Sequence, residues 1–169
     1  MNSSFKIARI CVLHIGGAGS APPIAGETLV SRIIHSKGTP TTQRNRLRRS
    51  IAEALRHLLT KTEFDTESQD LTAFIVFCLQ DIQENVNRSA EAWQKKNYYL
   101  KADRFIREWE WIGPMERLLT AALLDQEWDE LPLLFAQLFT HFQDIKVSKL
   151  TRSSDLWDGA YKRLVATPR

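Results

Sequence analysis

Histidine, cysteine and paired carboxylates are the side chains with which a small protein does acid–base, nucleophilic or metal chemistry. This chain of 169 residues holds four histidines (His14, His35, His57 and His141) and two cysteines (Cys11 and Cys78). Each cysteine sits alone in an apolar run, residues 10–13 and 74–79, where a free thiol behaves as a small buried hydrophobe. Neither a disulfide framework nor a zinc spacing is present, so a reducing compartment is expected. Each histidine reads as a surface or satisfied interior side chain. Glu108, Glu110 and Glu116 lie near one another, but Asp103 with Arg107 and Arg104 with Glu108 fall at i,i+4. Such pairs contribute roughly 0.2–0.5 kcal/mol each to a helix, so these carboxylates read as a solvated, salt-bridged face. Gly17, Ala18 and Gly19 follow an apolar run as a dinucleotide loop would, yet Pro22 and Pro23 come next in place of the third glycine. The Lys-Ser/Thr pair of a phosphate loop and the glycine-flanked serine of a nucleophile elbow are missing. No catalytic, metal or cofactor-binding residue is assigned, and a non-enzymatic protein without a cofactor is expected.

Two clusters point to binding instead. Arg44, Arg46, Arg48 and Arg49 place four arginines within six residues at the start of a helix. A helix N-terminus carries partial positive charge, so a cationic cluster there needs a counter-charge from the fold, a partner protein or phosphate. Residues 92–111 hold six of the sixteen aromatics: Trp93, Tyr98, Tyr99, Phe105, Trp109 and Trp111. Phe105 and Trp109 fit one core stripe, whereas Trp93, Tyr99 and Trp111 do not all join it. Surplus aromatics among Lys and Arg mark protein hot spots and also stack bases.

The elements that position these clusters are helices. Residues 5–15 suit a short helix or a buried strand, residues 16–26 are irregular, and 27–36 read as a helix. Thr39 followed by Pro40 is a capped start with proline at the first helical position, and Leu47, Ile51, Ala54, Leu55 and Leu58 recur behind it at helical spacing. Thr66 and Gln69 have capping-box spacing and open a long helix with a stripe of Leu71, Ile75, Cys78, Ile82, Val86, Ser89 and Trp93. A second stripe, Tyr98, Ala102, Phe105, Trp109 and Ile112, is out of phase. The five-residue step from Trp93 to Tyr98 predicts either a break or a kinked helix that turns a new face inward. Gly113 and Pro114 separate it from the next helix. Asp129 caps another, whose wide stripe from Leu131 to Ile145 predicts a central position. Residues 148–154 are a polar connector and 155–166 a last short helix. The expected fold is all-α: one domain over residues 1–169, a bundle of about six helices around one long central one.

Charge is sorted along the chain. Residues 1–62 carry a net +8, residues 63–145 a net −9 and residues 146–169 a net +4, within an overall +3. Hydrophobic content of 43% with 25% charged residues is that of a water-exposed globule. No run approaches the roughly 18 apolar residues of a membrane span. A cytoplasmic location is expected, with organellar import as the alternative, because the first acid is Glu27 and Ser, Thr and Arg are plentiful. The functional expectation is a helical binding or assembly protein. It engages a protein partner or a second copy through Trp93, Tyr98, Tyr99 and Trp111, with Arg44, Arg46, Arg48 and Arg49 giving charge complementarity. The alternative is a helical subunit that holds a nucleic-acid backbone through the same arginines.

Overall fold

A computed structural model describes residues 38–149 and 151–167. The helices expected at 5–15 and 27–36, the irregular segment between them, Cys11, His14 and His35 lie outside the described residues. The described chain is all-α, with α1 (Pro40–Thr60), α2 (Thr66–Gln94), α3 (Tyr99–Trp109), α4 (Ile112–Leu124), α5 (Leu131–Thr140) and α6 (Ala160–Ala166). Two single-turn 3₁₀ segments, Trp128–Glu130 and Ser154–Leu156, precede the last two helices. None of the described residues forms a strand.

The helix starts follow from local chemistry. Thr39 caps α1, its Oγ1 accepting from the Thr42 N–H at 3.3 Å, and Pro40 opens the first turn. The cap of α2 is Asp65, not Thr66. Its carboxylate accepts from both the Ser68 N–H and the Ser68 hydroxyl at 2.8 Å, which a threonine one residue later cannot match in geometry. The Lys61 ammonium, and after it those bonds from Ser68, hold the Asp65 carboxyl well below the usual carboxylate range.

α2 is the central helix. Every residue from Leu71 to Leu79 is buried, and a helix apolar all round must be packed all round. α1, α3, α4 and α6 lie against it. This displaces α5 from the central place its wide stripe predicts. α5 ends at Thr140 and packs on α4 and α1. Phe142 is buried from the turn beyond α5, while Phe139 is exposed.

The phase slip after Trp93 is a true break. The Tyr98 N–H donates to the Trp93 carbonyl at 3.0 Å and the Asn97 N–H to the Gln94 carbonyl at 2.9 Å, with Asn97 at φ 62°. This is a Schellman ending with asparagine in the left-handed position. The break after Trp109 comes earlier than Gly113-Pro114 implies, and both of those residues sit in the first turn of α4. Asp129 lies inside a 3₁₀ turn and makes no side-chain cap; Glu130 precedes α5. The last helix is shorter than 155–166 because Gly159, at φ 67°, interrupts it.

Two buried carboxylates tie the C-terminal segment to the bundle. Asp70 of α2 accepts from the Gly159 N–H at 3.1 Å and the Tyr161 N–H at 2.9 Å, satisfying the otherwise orphaned donors at the start of α6. Glu53 of α1 accepts from the Thr151 N–H at 2.8 Å and the Arg152 N–H at 3.1 Å.

Candidate functional site

The arginine cluster divides among different surroundings, because successive helical positions about 100° apart cannot share one face. Arg44 points inward and is 7% exposed. Its guanidinium donates to Asn85 Oδ1 at 2.6 Å, Ser89 Oγ at 3.2 Å and Thr41 Oγ1 at 3.2 Å. It also lies over the Phe105 ring at 4.8 Å and the Trp109 ring at 5.9 Å. Burial pulls its pKa below the ordinary arginine value, and the nearby Glu108 opposes that pull. Arg48 donates to Asp144 Oδ1 at 2.7 Å and sits over Phe142. Arg49 pairs with Glu53 at 3.2 Å. Arg46 is exposed; its carbonyl accepts from the Ser50 hydroxyl at 3.0 Å, and its guanidinium points to no acid among the ion pairs of the described residues.

The aromatics also sort into two roles. Trp93, Phe105 and Trp109 form a chain of ring contacts, Trp93 to Phe105 at 4.9 Å and Phe105 to Trp109 at 6.3 Å. Lys101 Nζ lies 4.4 Å from the Trp93 ring and Arg44 closes the other end. Trp111 stacks flat on His141, with centroids 3.8 Å apart and planes at 6°, and meets Phe142 edge-on. Partial desolvation lowers the His141 pKa below the ordinary histidine value.

Tyr98 and Tyr99 instead stand out at the α2–α3 corner, 57% and 60% exposed, beside Leu100 at 88%. Lys95, Lys96 and Lys101 surround them and are exposed. The corner is held firm from below. The Schellman bonds fix its backbone, the Tyr99 hydroxyl and Asn97 Oδ1 lie 3.1 Å apart, and Ala102 is wholly buried where α3 meets α2. The structure thus leaves Tyr98 and Tyr99 exposed together at the corner, ties Trp93 through Phe105 to Arg44, and places Trp111 against His141 and Phe142 instead. Leu100, which the stripe analysis passed over, is the most exposed large apolar residue described.

Sequence reasoning also missed a cavity of about 180 Å³ between α1, α2 and the C-terminal segment. Glu53, His57, Glu67 and Arg152 line it together with Ala54, Phe74 and Trp157. Its sequence signal is the i,i+4 spacing of Glu53 and His57, which puts both on one face of α1. Glu53 is 2% exposed. Burial alone would raise its pKa, but donation from the Thr151 backbone and hydroxyl and from Arg49 leaves it below the usual value. Those bonds occupy both of its oxygens, which suits a clamp and not a proton-transfer group. Glu67 accepts from Lys61 Nζ at 2.6 Å, and His57 Nε2 lies 3.9 Å from its other oxygen. Among the described residues no group of three or more His, Cys, Asp or Glu side chains could hold a metal ion. No described helix is long and apolar enough to cross a membrane.

No family model, curated protein or solved structure matches this chain.

Proposed function

We propose that this is a non-enzymatic helical binding protein whose docking element is the α2–α3 corner, and that its partner is a protein with an apolar pocket rimmed by acids. The observation that carries this reading is the run Tyr98-Tyr99-Leu100, three consecutive large side chains that are all more than half exposed at the start of α3. Solvation of such a run is unfavourable, and burying each side chain on a partner contributes about 1.5–3 kcal/mol. Lys95, Lys96 and Lys101 supply a cationic rim, which steers an acidic partner and sets its register. The backbone of the corner is already ordered, so little loop entropy is lost on docking.

The chemistry favours protein over nucleic acid. Leu100 offers no base-stacking face. The cations that a phosphate backbone would need are divided: Arg48 and Arg49 face Asp144 and Glu53, and Arg44 is buried. Asp103, Glu108 and Glu110 further dilute the basic charge of α3 and its end.

A photoreactive amino acid placed at position 100 of the full chain tests this reading. The expected result is one dominant protein adduct from position 100 and none from position 59, where the exposed Leu59 serves as control. The adduct partner, purified, should then bind the untagged chain. Equal labelling from both positions overturns the proposal. So does tight binding of single-stranded RNA with a log–log salt slope of about −0.7 per phosphate contacted.

A further inference from the structure

We propose that the 180 Å³ cavity beneath the C-terminal segment is a binding site for a small organic monocarboxylate with a ring-sized apolar body. The proposal is independent of the α2–α3 corner, which belongs to the opposite end of α2.

The first support is a buried donor without an acceptor. Arg152 lines the cavity, and its Nε is buried without a hydrogen-bond acceptor among the described residues. A buried donor without a partner is costly, and a charged one more so. Glu53 lies close enough to feel its charge, but neither nearby carboxylate accepts from Nε. Glu53 already accepts from Arg49, from the Thr151 hydroxyl and from two backbone N–H groups. Glu67 is held by Lys61 and Trp157. An incoming oxyanion answers the guanidinium, and a planar carboxylate matches its fork.

The second support is the size and surface of the walls. The volume is slightly above the ~150 Å³ of an apolar cavity that admits benzene. Phe74 and Trp157 tilt against each other with centroids 6.3 Å apart, and His57 meets Trp157 edge-on at 5.8 Å. With Ala54 they form walls suited to a flat or saturated ring. The third support is charge. Glu53 and Glu67 both border the space and are ion-paired with Arg49 and Lys61, so a phosphate dianion meets more repulsion there than a single negative charge does. Small size, apolar walls and one cation together select a monocarboxylate.

Nitrogen-15 NMR titration of the full chain with benzoate and, in parallel, with its neutral isostere benzamide tests the site. Expected are saturable shifts centred on Ala54, His57, Arg152 and the Trp157 indole N–H, with benzoate binding at least about tenfold more tightly than benzamide. Arg152→Gln should bring the two affinities together, and Arg152→Lys should restore part of the difference. The benzoate–benzamide comparison on the unaltered chain stands even if Arg152→Gln fails to fold. Equal affinities, shifts centred elsewhere, or no saturation by about 10 mM benzoate would overturn the proposal.

Discussion

Arg44 shows how one side chain can organise three helices. It leaves α1, bonds to Asn85 and Ser89 of α2, and lies on the Phe105 and Trp109 rings of the α3 region. Removing it leaves the Asn85 oxygen without its charged donor and opens space beneath α3. Arg44→Ala should therefore lower unfolding free energy by about 2–4 kcal/mol, whereas Arg46→Ala on the exposed face should stay within about 0.5 kcal/mol. Urea midpoints of the two variants check this. Glu53 gives a pH-dependent counterpart. Its folded pKa is depressed below the ordinary 4.5, so its stabilisation is complete above that value and is lost as pH falls through the folded pKa. The stability gap between the unaltered chain and Glu53→Gln should be full at pH 6 and narrow steadily below about pH 4.5, as read by denaturation across pH. None of this was visible in the arginine spacing alone. The sequence exposes the conflict between four arginines and a helix N-terminus, but Asp144 lies 96 positions from Arg48, and only the fold joins them.

At the scale of elements, the α2–α3 corner is where sequence and structure agree most closely. A five-residue step between apolar stripes is what a Schellman ending produces, because its outer bond spans five residues from Trp93 to Tyr98. Asn97 takes the left-handed position with φ 62°. Asn97→Gly, which loses only the exposed bond to the Tyr99 hydroxyl, should stay within about 0.5 kcal/mol, while Asn97→Val should cost about 1–2 kcal/mol by forcing a β-branched residue into that region; thermal unfolding of both variants decides. Other boundaries were less legible for identifiable reasons. Asp65 and Thr66 are both good caps, and only the Ser68 contacts choose between them. The wide stripe from Leu131 to Ile145 suggested a central helix. It instead reflects a short α5 followed by turns that bury Phe142 on another course.

At the scale of the whole molecule, the sorted charge resolves into internal ties as well as free surface. The basic N-terminal third meets acids at Asp144 and, within α1, Glu53. The basic end is fastened by Glu53 and Asp70 through backbone donors, which do not depend on its charge. The all-α class was legible because 3.6-residue periodicity runs through nearly every described segment. The division of the aromatics was not, since Trp111 finds His141 and Phe142 only in three dimensions. Among the large apolar side chains that stay exposed in the described residues, Tyr98, Tyr99 and Leu100 are consecutive and flanked by lysines, and on that corner rests the account's central claim. The most direct measurement is calorimetric titration of the purified cross-linked partner into the unaltered chain and into a Tyr98→Ser/Tyr99→Ser/Leu100→Ser variant of equal stability. The account predicts at least about 30-fold weaker binding by the variant, as expected when a hot spot of 2 kcal/mol or more is removed. An affinity unchanged by the triple substitution would contradict it.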